Sequence, residues 1–478
     1  MYKRQEEILL SLNYTIGDLL LQGLDDYGIS SQTIREGVLT AKKFSKIEHD
    51  EGLGDRMIWD FLLERMSVSP LIYKCYITKD EETLLQKRKV LRSITDELRS
   101  IPLNATQQQL EKQKELLKKG KLLVFDYSNA WQNTDAVIQG SGRIHDLFVQ
   151  VIYGWLLKTA LTQKSHAVLF YSECTSSTLE IMYLAHLRKT WKTLHSVAVE
   201  EWCKNGHYFL AELELELIYL TSDALLYNQH TSDAKEILEW LCRPFLFACM
   251  QKRNKESIRI LPLAAVKLAE LEFIEGNIKQ AWDILEQTKR LMKREQNNGA
   301  IWLILNCQKN FISASRNTQF SVQEKILNEY KKYDFIVNSS AINPYAIWES
   351  STDNHIWISN DVIRNARLQK GFTQHQACEG IIEPETYSRF ESGKSRLRWE
   401  KQKLLLERLG QSSARVQFIV DSPHPKVLVT AKNILTDIQL GRLNMANEKY
   451  IELSCWLTKS SVNDKFNQLV TNQLDSMF

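Results

Sequence analysis

Phe372-Thr373-Gln374-His375-Gln376-Ala377-Cys378-Glu379-Gly380, followed by Thr386-Tyr387-Ser388-Arg389-Phe390-Glu391-Ser392-Gly393-Lys394, reads as two short helices and a tight connection. The same pattern occurs 343 residues upstream without a gap. Setting Gly28 on Gly371 pairs Glu36 and Gly37 with Glu379 and Gly380, Ser45 with Ser388, and Glu48 with Glu391. It also pairs Leu62-Leu63-Glu64-Arg65 with Leu405-Leu406-Glu407-Arg408. Self-similarity at a fixed offset points to a duplicated structural unit.

Local chemistry explains the residues of the downstream copy. Thr373 with Gln376 forms a capping box, which starts a helix at Gln374. Pro384 suits the first position of the next helix, where its missing N–H costs nothing. That helix is expected to run to about Ser392, with Gly393 as the left-handed stop. Ile363, Ala366, Phe372, Ala377, Ile381, Tyr387, Phe390, Leu397, Leu405 and Leu409 supply its apolar faces. Ala377 is small enough for two helices to cross closely.

These residues resemble the Xre/Cro (lambda-repressor-like) helix-turn-helix domain of bacterial regulators. That signature runs T-Q-x-x-L-A, then T-I-S-R-I-E-N-G-K, then a Leu-rich helix. Thr373, Gln374, Ala377, Thr386, Ser388, Arg389, Glu391, Gly393 and Lys394 fall on it, with Tyr387 and Phe390 as hydrophobic equivalents. The resemblance covers about fifty residues here and a weaker fifty near the N-terminus. It implies a partner, double-stranded DNA, with the helix from Pro384 in the major groove. Glu383, Glu385, Thr386 and Arg389 are then candidates for base edges, with Gln374 and His375 at the preceding helix start. Lys394, Arg396 and Arg398 suit phosphates. Arg389 could instead pair with Glu385 one turn earlier on a solvated face.

The upstream copy has diverged. Residues 25 to 66 hold nine acids and six bases, net −3, whereas residues 368 to 409 hold six acids and eight bases, net +2. Asp50 and Glu51 replace Gly393 and Lys394, and Ser31 replaces Gln374. Ile29, Ile34, Val38, Phe44, Ile47, Trp59, Leu62 and Leu63 keep a core. The copy reads as a helix-turn-helix relic used for packing or dimerisation. Lys42, Lys43 and Lys46 leave open the contrary view that both copies touch DNA.

Between the copies, the sequence has helical period and few prolines. Pro262 to Met292 places Ala265, Leu268, Ala269 and Phe273 on one helix, a turn at Gly276-Asn277, and Ala281, Ile284 and Leu285 on the next. The segment looks like a tetratricopeptide repeat. A looser unit spans Leu215 to Leu241, with Ser222 and Ala234 at the small positions, and a third spans Val427 to Leu453 with Gly441 and Ala446. Such units must stack to bury their faces; an irregular helical bundle is the alternative. The expected fold is all-α: two helix-turn-helix domains flanking a tetratricopeptide-like array. The expected segments are 1–84, a degenerate helix-turn-helix domain; 85–338, the array; 339–357, a linker; 358–412, the Xre-type domain; and 413–478, a helical tail. Ser359 or Asn360 is expected to cap the helix at Asp361, and Gln411 to Pro425 reads as a loop.

This order of modules resembles the Rgg/PlcR-like (RRNPP) peptide-responsive regulators. The resemblance implies a cytoplasmic homodimer whose array binds a short peptide or a protein effector and shifts the DNA-binding ends. Asn228, Asn277 and Asn306 are the candidate peptide contacts. The chain departs from that family because its better-matched copy lies near the C-terminus. Its charge of +3 is mild, so a DNA surface must be local. Eight cysteines without a C-x-x-C pair read as buried thiols. No signal peptide, membrane span, metal site or cofactor is expected, and the H-E-x-x-H, P-loop, G-x-G-x-x-G and G-x-S-x-G motifs are lacking. His145, His166, His186, His195 and His207 read as ordinary histidines, and Glu212-Leu213-Glu214-Leu215-Glu216 as a solvated or ion-paired surface. Two functions follow from this: a DNA-binding regulator, or a protein-interaction scaffold whose helix-turn-helix domains no longer bind DNA.

Overall fold

Strong caps and long apolar periods divide the chain into helices. The computed structural model describes residues 29–48, 56–66, 73–101, 105–134, 142–162, 176–204, 209–246, 259–294, 297–314, 320–346, 356–411, 416–418 and 443–459, with single positions within 17–25 and 427–437 and at 472. The upstream copy contains α1 (Ser31–Arg35), α2 (Ala41–Glu48) and α3 (Arg56–Arg65), then β1 (Tyr73–Ile77). There follow α4 (Lys79–Ser100), α5 (Gln107–Gln132), α6 (Gly142–Thr162), α7 (Ser176–Leu194), α8 (Val199–Lys204), α9 (Glu212–Tyr227) and α10 (Thr231–Leu246). Next come α11 (Leu261–Ile274), α12 (Ile278–Arg294), α13 (Asn298–Ala314) and α14 (Phe320–Ser339). The downstream copy contains β2 (Ile356–Ile358), α15 (Ser359–Gln369), α16 (Gln374–Cys378), α17 (Pro384–Glu391), α18 (Trp399–Arg408) and β3 (Val416–Phe418), before α19 (Leu443–Lys459). Among the described residues the fold is all-α, as the sequence suggests, apart from one short sheet.

A shift of 343 positions carries α1 onto α16, α2 onto α17 and α3 onto α18, with both ends of each helix coinciding. Matched chemistry produces the matched ends. Ser30 and Thr373 each accept from the backbone N–H three residues on, satisfying a donor the helix leaves open. Gly37 and Gly380 then take φ of 70° and 72°, which only glycine adopts without strain. Arg65 Nη1 donates to the carbonyls of Ile34 and Glu36 at 2.7 and 2.8 Å. Arg408 Nη1 donates to the matched carbonyls of Ala377 and Glu379. Gly393 takes φ of 72° just beyond α17, as expected. Helix α15 differs from expectation: Ile358 is its N-cap, and Ser359 and Asn360 are buried within its first turn rather than capping it.

Helices α4 to α14 pack on their neighbours in sequence, except that α8 packs on α7 and α10 rather than on α9, and several also pack on the next helix but one. Ser222, Ala234, Ala265, Ala269 and Ala281 are fully buried where paired helices approach, and Gly276 makes the α11–α12 turn at φ of 87°. The expected linker after this region is partly structured. Asn343 Nδ2 donates to the Asp96 carbonyl at 3.0 Å and Arg99 Nε to the Tyr345 carbonyl at 3.1 Å, so the start of the expected linker is bound to α4. Asp50, Glu51, His166, His207 and Gly441 lie outside the described residues.

Helix α9 bears out the ion-paired reading of its glutamates but places them in the interior and not on a surface. Glu214 and Glu216 are 0% exposed, and Glu212 is 9%. Each carboxylate meets an arginine from a different segment: Glu212 with Arg259 at 3.2 Å, Glu214 with Arg65 at 2.6 Å, and Glu216 with Arg92 at 2.6 Å. Trp155 Nε1 also donates to Glu216, and His195 Nε2 lies 2.9 Å from Glu214. Buried charges of this kind persist only when paired. The upstream copy is thereby tied to the array. Its turn is packed as well: a Cβ on Gly37 would meet the Leu194 carbonyl oxygen at 2.1 Å, whereas a Cβ on Gly380 would meet nothing within 4 Å. Arg143 Nη1 donates to the Gly37 carbonyl at 3.0 Å.

The sheet has the order β2-β1-β3, with β1 parallel to β2 and antiparallel to β3. Strand β3 corrects the reading of Gln411 to Pro425 as a loop. Tyr76, at the end of β1, is buried in the downstream core, its ring 5.4 Å from Trp357 and 6.4 Å from Trp399. Asp80 on α4 pairs with Arg396 at 2.6 Å across the same seam.

Candidate nucleic-acid interface

Glu391 anchors the downstream copy. It is 5% exposed and accepts from Arg367 Nε at 2.6 Å, Arg367 Nη2 at 3.0 Å, Gln374 Nε2 at 2.8 Å and Tyr387 Oη at 3.0 Å. Burial alone would raise its pKa, but the bonds from Arg367, Gln374 and Tyr387 outweigh that and hold the carboxyl below its ordinary value. The network joins α15, α16 and the last turn of α17, while Tyr387 and Phe390 bury the inner face of α17. The opposite face and the leading end are therefore held in place without being covered.

Glu383, Pro384, Glu385, Thr386 and Arg389 are all exposed on that leading end and outer face. Arg389 forms no ion pair with Glu385, so the alternative of a paired helix face does not describe it. His375, Lys394 and Arg398 are also exposed. Arg389, Lys394 and Arg398 make no side-chain hydrogen bond or ion pair with the described residues. Gln374 differs from these, being half-buried with its amide committed to Glu391. Arg396 is exposed but joins the Asp80 carboxylate and, at 3.1 Å, the Asn133 carbonyl. Its role in this structure is to hold the downstream copy against α4 and α5. Lys401 Nζ donates to the Ile381 carbonyl at 3.0 Å and steadies the turn between α16 and α17.

The matched face of the upstream copy is also open. Lys42, Lys43 and Lys46 are exposed on α2, at the positions matching Glu385, Thr386 and Arg389. Its eight expected core residues are all buried. Glu48, the counterpart of Glu391, is half-buried, and Leu24, Ser31 and Phe44 stand at the positions of Arg367, Gln374 and Tyr387. Sequence reading missed the Glu391 network, yet its signal was present: the repeat matched Glu48 with Glu391 while its partners changed.

The three asparagines proposed for peptide contact do not share one site. Asn228 Nδ2 donates to the Glu180 and Ala224 carbonyls at 3.0 and 2.9 Å and ends α9. Asn277 Nδ2 donates to Glu272 at 2.8 Å. Asn306 is half-buried on α13. A groove of about 800 Å³ takes in Asn277 with Glu239, Arg243, Lys279, Gln280 and Asp283, and neither Asn228 nor Asn306 lines it.

Among the described cysteines, Cys75, Cys203, Cys242, Cys307 and Cys378 are buried and Cys455 is exposed. Burial pushes the Cys203, Cys242 and Cys307 thiols up, which disfavours thiolate chemistry there. Tyr127 Oη and His145 Nδ1 lie 2.6 Å apart, and the His145 ring stacks on Trp131. His195 likewise stacks on Trp191 with its centroid 4.1 Å away. Both histidines are core residues. Among the described residues, no helix is long and apolar enough to cross a membrane. The chain matches no protein-family model, no curated protein and no solved structure.

Proposed function

We propose that the protein is a DNA-binding transcriptional regulator that reads duplex DNA with the leading end of α17. The observation that carries this reading is the asymmetry of that helix. Its rear is locked by Tyr387, Phe390 and the Glu391 network, while Glu385, Thr386 and Arg389 face outward and unpaired, with Lys394 and Arg398 just beyond. A recognition element needs this combination, since base contacts require side chains presented on a rigid frame. Lys394 and Arg398 supply point charges for phosphates, and Arg389 can fork onto a guanine. The helical array would then bias the arrangement of the reading ends through a peptide or protein effector. An effector acts only through unequal affinity for two arrangements. The scaffold reading has its support in the upstream copy, whose turn is packed against Leu194 and Arg143.

Fluorescence anisotropy of a labelled random duplex, titrated with the full chain at several salt concentrations, separates the two. Affinity is expected to fall steeply with salt, and Lys394→Ala and Arg398→Ala are each expected to weaken binding on every sequence and to reduce the log–log slope by about 1. Salt-independent affinity, or affinity that neither substitution alters, favours the scaffold.

A further inference from the structure

Strand β1 follows the upstream copy and β3 follows the downstream copy at matched positions: a shift of 343 turns Tyr73–Cys75 into Val416–Phe418. These two segments pair with each other. The partners are Tyr73 with Phe418, Lys74 with Gln417, and Cys75 with Val416. Exchanging the two copies turns the first pair into the third and returns the middle pair to itself. A set of contacts that survives exchange of its two members is the signature of an isologous, two-fold interface. The local axis passes between Lys74 and Gln417. The seam is also packed, because the Tyr76 side chain on β1 enters the downstream core.

Extended from the strands to the copies they follow, the same two-fold would relate α2 to α17, which the 343-residue shift already matches end for end. Both helices keep their outer faces exposed, with Lys42, Lys43 and Lys46 on one and Glu385, Thr386 and Arg389 on the other. We infer that one chain is by itself a two-fold reader, placing α2 and α17 on two unlike half-sites of the same duplex. This rests on the DNA-binding reading above and adds a second interface and a stoichiometry to it. The division of labour follows from side-chain chemistry. Lysine ammoniums are compact point charges suited to phosphates, so α2 contributes affinity with little choice of sequence. Arginine, glutamate and threonine can address base edges, so α17 contributes selectivity. The resemblance implies a homodimer, but the β1–β3 pairing already supplies the dimer axis within one chain.

The test takes the duplex most enriched from a random pool by the full chain, and applies native mass spectrometry and hydroxyl-radical footprinting. The expected complex holds one chain and protects two segments whose centres are about one helical turn, roughly 10 base pairs, or a multiple of it apart. Combining Lys42→Gln, Lys43→Gln and Lys46→Gln is expected to abolish protection of one segment, keep the other, and reduce the salt slope by about 2 to 3. All three side chains are exposed, so folding is retained. Two chains per duplex, or a footprint and slope unchanged by the triple substitution, overturn the inference. If Arg398→Ala still reduces the slope in that case, the DNA-binding reading survives alone. If no duplex is bound at all, both fall.

Discussion

Arg65→Met is expected to destabilise the protein by about 3 to 5 kcal/mol, the usual cost of leaving one member of a buried ion pair without its partner. Arg65 is 1% exposed and binds Glu214 through Nε at 3.0 Å and Nη2 at 2.6 Å, while its Nη1 closes the carbonyl end of α1. The substitution strands the Glu214 carboxylate in a site with no exposure. Arg408→Met removes the matched carbonyl bonds but strands no charge, so it should cost only about 1 kcal/mol. Chemical denaturation of the two variants measures the difference. Adding Glu214→Gln to Arg65→Met is expected to recover more than half of the loss, because the amide still accepts from the Ala211 N–H that the carboxylate caps at 2.9 Å. Equal costs at Arg65 and Arg408 would contradict this account of how the upstream copy is tied to the array.

The same pair sets a pH limb. Burial would raise the Glu214 pKa, but the Arg65 charge and the His195 bond bring it from 4.5 to about 2. A carboxyl depressed on folding contributes stability that is fully present above the unfolded value and is lost as pH falls through the folded one. Stability of the native protein should therefore decline from about pH 4.5 toward pH 2, and less of that decline should remain in the Arg65→Met/Glu214→Gln variant.

Glu391→Ala is expected to loosen the downstream copy by about 1.5 to 3 kcal/mol, the range for hydrogen bonds to a charged group. Four donor atoms on three side chains lose their acceptor, although Arg367, 12% exposed through its side chain, regains some water. Glu48→Ala at the matched position should stay within about 0.5 kcal/mol, since the Glu48 side chain makes no hydrogen bond or ion pair with the described residues. Amide hydrogen exchange reads each copy separately: α17 should lose protection in the first variant and α2 should keep it in the second. If α2 is loosened as much as α17, the Glu391 network is not what distinguishes the copies.

Most of the helical frame was legible because its determinants lie within four residues of one another. The capping of α16 by Thr373 and Gln376, the start of α17 at Pro384 and its stop at Gly393 all follow from short-range chemistry. Through-space partners were not legible in this way. Glu214 and Arg65 are 149 residues apart, and a run of alternating glutamates gives no local sign of burial. Ile356–Ile358 and Val416–Phe418 are each three residues long, too short for an alternating pattern to stand out. Each pairs with β1 and not with the other, and of the two only β3 matches β1 through the duplication. Within the candidate interface, exposure of Arg389 agreed with its place on the motif. The ties of Arg396 to Asp80 and of Gln374 to Glu391 depend on neighbours that no spacing rule reveals.

Under the proposed function, the outer face of α17 reads sequence. Selecting bound duplexes from a random pool with the native chain and with Arg389→Ala tests it most directly. The native chain is expected to enrich one motif, and the variant to lose base preference at one position of it while binding the native motif about 5- to 150-fold more weakly, equivalent to about 1 to 3 kcal/mol. Enrichment of the same motif with the same strength by both proteins would contradict the claim.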